Sequence, residues 1–140
     1  MSNYGDAAAG LKTVLSNNVT GLRVYDYPPD NIQQFPVAVI LPEPVDLQMA
    51  FGGKTFTASF RVVFLLSNGD DAQGFSKLYD YIDPTEANKG LAQAVRADRT
   101  LNGKVDDADA VRVENIGRRE LWGGFYFGFD LLVEFVKTVA

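Results

Sequence analysis

The residue types best suited to chemistry in this chain are carboxylates. Asp80, Asp83 and Glu86 flank the break between two expected helices and could bring acids close enough together for general acid–base work. Charges near helix ends are ordinarily solvated or capping groups, and that is the expectation here. The run Asp106-Asp107-Ala108-Asp109 invites a calcium loop. It lacks the alternating oxygen ligands, the glycine and the distant glutamate of an EF-hand, so a solvated acidic loop is expected instead. Neither Gly52-Gly53 nor Gly123-Gly124 is followed by Lys-Ser or Lys-Thr at a helix start, so both pairs are read as bends or bulges rather than phosphate cradles.

Composition narrows the chemistry further. The chain has no histidine and no cysteine. This removes the usual acid–base side chain near neutral pH, every Ser-His-Asp or Cys-His arrangement, disulfides and the commonest zinc ligand sets. The net charge is −5, and the excess of acid is spread over both halves. A duplex binder needs clustered Lys and Arg against phosphates, so no specific nucleic acid partner is expected. No catalytic, cofactor-binding or metal-binding residue is assigned. Arg118 and Arg119, beside Glu120 and Trp122, read better as a contact site, because Arg and Trp combine large area with directional donors. The other reading of these residues, a charged strand edge that discourages aggregation, stands beside it.

The elements that must position such groups follow from hydrophobic period. With 140 residues, 46% hydrophobic, ten Phe and six Tyr, one domain over residues 1–140 with a shared core is expected. The longest apolar runs, such as Val62-Val63-Phe64-Leu65-Leu66, fall far short of the ~20 residues of a membrane helix. A soluble protein made in the cytoplasm is expected, with no membrane partner.

Asp6 is expected to cap a helix in which Ala8, Leu11, Val14, Leu15 and Val19 recur at three- and four-residue steps. Residues 22–27 read as a strand ended by Pro28-Pro29. Val37-Ala38-Val39-Ile40-Leu41, fenced by Pro36 and Pro42, reads as a central strand covered on both faces. In residues 54–66, Phe56, Ala58, Phe60, Val62, Phe64 and Leu66 share one face, and Thr55, Thr57, Ser59 and Arg61 the other. The second face turns apolar at Val63 and Leu65, so one end is expected to be covered twice and the other to meet water or a partner. Asp70 with Gln73 resembles a capping box for a helix burying Phe75, Leu78, Tyr79 and Ile82 up to Pro84. Thr85 is expected to cap a second helix through Ala97, with Ala87, Leu91, Ala94 and Val95 inside. Residues 110–116 alternate as a strand with a turn at Gly117. The final strand carries Phe125, Phe127, Phe129, Leu131, Val133 and Phe135 on one face, a row expected to face the core. The expected fold is α+β: a mixed, largely antiparallel sheet of about five strands with two or three helices packed on one face.

Residues 43–53 join two strands without a period of their own. They leave Val45, Leu47, Met49 and Phe51 without a clear place in a monomer core. Such a segment extends a strand, folds back on the core, or forms an arm on a neighbouring subunit.

In order and texture the chain resembles the tail terminator proteins of long-tailed bacteriophages. The resemblance rests on a helix ending in Leu-Lys-Thr-Val-Leu, the step Val-Tyr-Asp-Tyr-Pro-Pro, the strand Phe-Pro-Val-Ala-Val-Ile-Leu-Pro, the stretch Phe-Thr-Ala-Ser-Phe-Arg-Val-Val-Phe-Leu-Leu, two helices, and the closing Trp-Gly-Gly-Phe-Tyr-Phe-Gly-Phe-Asp-Leu-Leu-Val-Glu-Phe. It implies a hexameric ring in the neck of the virion. The ring caps the head-proximal end of the tail tube, stops its polymerisation and offers a surface to the head–tail connector or stopper protein. The implied partners are further copies of the chain, the major tail (tube) protein and that connector, with the genome able to pass through the ring lumen. The family has no catalytic residues, and none are carried over. From the exposed positions themselves, Val45, Leu47, Met49, Phe51, Thr55, Thr57, Arg61, Arg118, Arg119 and Trp122 are the candidate interface. Another neck or head-closure component, or a tail-tube subunit, has the same texture. From a different class, a small α+β ligand-binding module or a carboxylate-dependent hydrolase remains as an alternative.

Overall fold

A computed structural model of the chain describes residues 2–30, 32, 34–44 and 55–138, with only the backbone described at 55 and 56. The elements run α1 (Asn3–Asn18), β1 (Arg23–Tyr25), β2 (Val37–Pro42), β3 (Thr55–Asn68), α2 (Gly74–Ile82), α3 (Leu91–Ala97), β4 (Asp107–Leu121) and β5 (Gly124–Thr138). The strands form one sheet in the order β1-β2-β3-β5-β4. It is parallel between β1 and β2 and antiparallel elsewhere, which is the α+β architecture expected from the sequence.

Alternation on the two long inner strands builds the core. Ala58, Phe60, Val62 and Phe64 of β3 and Phe127, Phe129, Leu131, Val133 and Phe135 of β5 face the helices. There they pack with Leu11 and Leu15 of α1, Leu78 of α2, and Leu91 and Val95 of α3. Phe60 and Phe135 stack with centroids 5.2 Å apart, and Tyr4 meets both rings edge-on. Each such ring, fully buried, contributes roughly 1.5–3 kcal/mol.

The opposite face of the sheet is divided. Val37, Val39, Val63, Leu65 and Tyr126 form a second buried cluster, against which Ile32 and Phe35 of the β1–β2 connection pack. A parallel pair needs a long crossover, and this one doubles as the cover of that half of the sheet. Thr57, Glu134 and Val136, further along the same face, are exposed.

Several elements differ from the sequence expectation. Helix α1 is capped by Ser2, whose hydroxyl accepts from the Gly5 N–H at 2.9 Å, and Asp6 sits inside the first turn. Strand β1 is limited to three residues. Helix α2 starts at Gly74, and Asp71 rather than Asp70 accepts from the Gln73 N–H. Phe75 and Tyr79, expected inside, are 53% and 65% exposed. A Cβ at Gly74 would lie 2.4 Å from the Phe127 ring, so the helix approaches the sheet through Gly74 and Leu78 and turns those two rings outward.

The helix expected from Thr85 begins only at Leu91. Asp83 accepts from both the backbone N–H and the hydroxyl of Thr85, and Asn88 sits at φ 69°. Residues 84–89 are therefore held in turns. Strand β4 runs through Gly117 instead of turning there, because Gly117 at φ 130° belongs to a bulge between Glu114 and Gly117. The acidic run is not a loop either. Asp107 and Asp109 lie in β4 and pair with Arg99 at 2.9 Å and Arg96 at 3.0 Å. The hydrogen bond from Arg99 holds the Asp107 carboxyl below its ordinary pKa and raises that of Arg99 in turn.

Candidate functional site

At the boundary between the covered and open halves of the second face lies a row of charged side chains, centred on Asp130 in the middle of β5. Asp130 is 1% exposed and is the only buried charged residue among the described residues. Its carboxylate accepts from Arg61 Nη1 of β3 at 2.8 Å, from Asn115 Nδ2 of β4 at 3.0 Å, and from both terminal nitrogens of Arg119. Three of these bonds fall on Oδ2 and one on Oδ1.

Register explains who meets whom. Glu114 lies directly opposite Asp130, and two like charges at such a position repel. Arg61, diagonal to Asp130 across β3, bridges them with a second bond to Glu114 at 3.2 Å, and its Nε donates to Glu43 at 2.6 Å. Burial disfavours the Arg61 charge, but the hydrogen bonds to Asp130 and Glu43 outweigh it and leave the pKa above its ordinary value. Asn115 reaches the carboxylate because the bulge places it at φ 55°, a left-handed conformation that Asn tolerates. Arg119 sits opposite Tyr126 and extends along the strand to Asp130. Between them on that face is Gly128, which has no side chain to block the way.

Beside this row an open depression of about 480 Å³ is lined by Glu43, Ser59, Arg61, Arg112, Leu132 and Glu134, with Val111 at its edge. Arg112 contacts Glu114 at 3.6 Å.

The second feature is the end of the β4–β5 hairpin. Trp122 and Gly123 occupy the two central turn positions at φ 48° and 83°, the pairing of positive angles that a type I′ turn requires. Gly123 fits this without strain, whereas Trp122 is a bulky residue in a left-handed conformation. It is also 37% exposed. Nearby, the Arg118 guanidinium lies 4.8 Å over the Phe125 ring. Of the large apolar residues left exposed, Val111, Ile116, Trp122, Phe125 and Val136 all belong to the β4–β5 hairpin. Phe125 thus departs from the core-facing row expected for β5, since β3 ends at Asn68, opposite Tyr126.

The expected interface residues therefore separate into groups. Arg61 and Arg119 are brought together on Asp130, while Arg118, adjacent to Arg119 in sequence, points to the other side of the strand. Trp122 forms the hairpin turn, and Thr57 lies exposed on the open half of β3. For Thr55 only the backbone of β3 is described, and Val45, Leu47, Met49 and Phe51 lie outside the described residues. Asp80 faces Lys89 at 3.5 Å, and Asp83 is held below its ordinary pKa by the Thr85 hydroxyl. Among the described residues no three acids converge as a metal site.

Sequence reasoning missed Asp130, Glu114, Asn115 and Glu43. A signal for the first was present: Asp130 is the single charged residue in the stretch from Phe125 to Val133. No protein-family model matches the chain, and no curated protein sequence matches it.

Proposed function

We propose that the chain is a structural assembly protein of the phage tail terminator kind. In this reading a ring of identical subunits, six by the family's pattern, caps the head-proximal end of a long tail tube, stops its growth and receives the head connector. The chain acts by contact and performs no catalysis.

One observation carries the reading. Trp122 is an exposed indole at a turn position where Asn or Gly fits without strain, costing roughly 1 kcal/mol in the folded subunit. Neither the core nor the turn gains from it there. A large aromatic kept at such cost on a protruding hairpin is suited to insertion into a partner. Phe125, beside the same turn, is 52% exposed as well. The buried carboxylate supports the reading from another side. Asp130 is bound by two guanidinium groups and an amide, which suits a rivet across three strands.

The test adds purified chain to polymerising tail tubes and measures their length by electron microscopy. Tubes that stop at shorter lengths and carry density at one end only are expected. Incorporation along the whole tube would replace this reading with that of a tube subunit. No effect on tube length or on joining to filled heads would refute it.

A further inference from the structure

β1 and β4 are the two terminal strands of the open sheet, and each carries charges that nothing within the subunit neutralises. Among the described residues Arg61, Arg96, Arg99, Arg112 and Arg119 all have a carboxylate partner. Arg23 and Asp26 at the β1 edge, and Arg118 and Glu120 at the β4 edge, have none. All four are exposed. The apolar surface follows the same two edges, with Tyr27 59% exposed beyond β1 and Ile116 49% exposed on β4.

Strand direction decides how these edges can meet. β4 runs antiparallel to β5, β5 to β3, and β3 to β2, while β1 is parallel to β2. β1 and β4 of one subunit are therefore antiparallel, and so are β1 of one copy and β4 of the next when copies succeed one another head to tail. Cross-strand neighbours must also share a face. Val24 packs in the helix-side core, which puts Asp26, two residues on, towards that side. Arg118 stands opposite Phe127, also of the helix-side core. Setting Asp26 opposite Arg118 thus keeps the pleat continuous. One step on, Tyr27 and Pro28 come opposite Gly117 and Ile116, and in the other direction Arg23 comes opposite Leu121, next to Glu120. Asp26 then finds an opposite sign in Arg118 on the helix-side face, while Arg23 and Glu120, one position out of step, project from opposite faces.

We infer that the β1 edge of one copy docks antiparallel on the 117–121 stretch of β4 in the next, with Asp26 against Arg118. The occupant of the β4 edge is thus a second copy of this chain, recognised by charge complementarity and strand direction. The contact is heterologous, joining two different edges, which is the kind that closes into a ring. Both edges are short, since β1 has three residues and the β4 bulge between Glu114 and Gly117 interrupts regular pairing beyond the 117–121 stretch. Arg118 is held ready, because a guanidinium stacked on a ring keeps its in-plane donors free. This inference rests on the ring reading above and supplies its subunit contact.

The experiment measures self-association by sedimentation velocity for the wild-type chain, Arg118→Asp, Asp26→Arg and the double variant. Each single variant should weaken association about tenfold or more, and the double swap should restore it to within about threefold. Circular dichroism checks that each remains folded. Because the chain has no cysteine, a chain carrying both Asp26→Cys and Arg118→Cys gives a second readout. These positions lie at opposite edges of one subunit, so oxidation should yield a disulfide ladder that ends at a closed ring. A wild-type chain that associates while neither single substitution weakens it and no ladder forms overturns the edge contact and leaves the ring reading standing. A wild-type chain monomeric to millimolar concentration and without effect on tube length overturns both.

Discussion

Asp130→Asn replaces the one buried carboxylate among the described residues with an isosteric amide and leaves two guanidinium groups facing a neutral partner. Removing one member of a buried ion pair typically costs about 3–5 kcal/mol, because the remaining charge stays desolvated. Two structural facts place this case at the lower end. Arg61 keeps Glu43 and Glu114 as partners, and its side chain is 27% exposed. Arg119, whose side chain is 17% exposed, loses its only carboxylate. The expected loss is therefore about 3 kcal/mol. At an m-value of about 2 kcal/mol per molar urea, the unfolding midpoint should fall by about 1.5 M with m unchanged. The loss should persist in 1 M NaCl, since a buried pair is weakly screened. Glu43→Gln, by contrast, should cost less than about 1 kcal/mol, because Arg61 retains Asp130. A midpoint shift under about 0.5 M for Asp130→Asn would show that the row is a solvated surface feature and not the rivet described above.

Other expectations are as direct. Gly10→Ala should lower the melting temperature although alanine favours helices by about 1 kcal/mol. A Cβ at Gly10 would lie 2.0 Å from the Leu101 carbonyl oxygen, and overpacking of that kind costs about 1–3 kcal/mol. Trp122→Asn should raise the melting temperature of the isolated subunit, by relief of roughly 1 kcal/mol of turn strain, while abolishing the effect on tube length; a variant that still caps tubes would remove Trp122 from the contact. Asp71, Asp83, Asp98 and Asp107 all sit below the ordinary carboxylate value of 3.8 in the folded chain. The stability they contribute is present above that value and is lost as pH falls through their lower folded values, because the unfolded chain takes up protons first. Acid unfolding monitored below about pH 4 should therefore be shallower for Asp107→Asn than for the wild-type chain.

The two long inner strands and their inner faces were legible because a period of two repeats over residues 58–64 and 127–135, and one face must be buried. Helix boundaries were less legible. The start of α3 depends on Asp83 folding the chain back on Thr85, and the outward rings of α2 depend on how close Gly74 lets the helix come to Phe127. Both are facts about approach distance, which residue period does not record. The bulge at residues 114–117 was hidden for a similar reason. Glycine 117 is equally compatible with a turn, and only pairing with β5 makes it part of a longer strand.

Sequence by itself determined that a chain without histidine or cysteine folds as α+β, with a mixed, largely antiparallel sheet carrying its helices on one face. It also identified the residues of that face from 58 to 64 and from 127 to 135, since burial of a periodic pattern leaves few other solutions. Tertiary structure alone decided the fate of the charges. Arg118 and Arg119 are neighbours in the chain, yet one is bound to a buried carboxylate and the other is free at a sheet edge. Strand register sets that difference, by bringing residues 61, 114, 119 and 130 to one place on one face, and electrostatic energy depends on such distances and not on order along the chain.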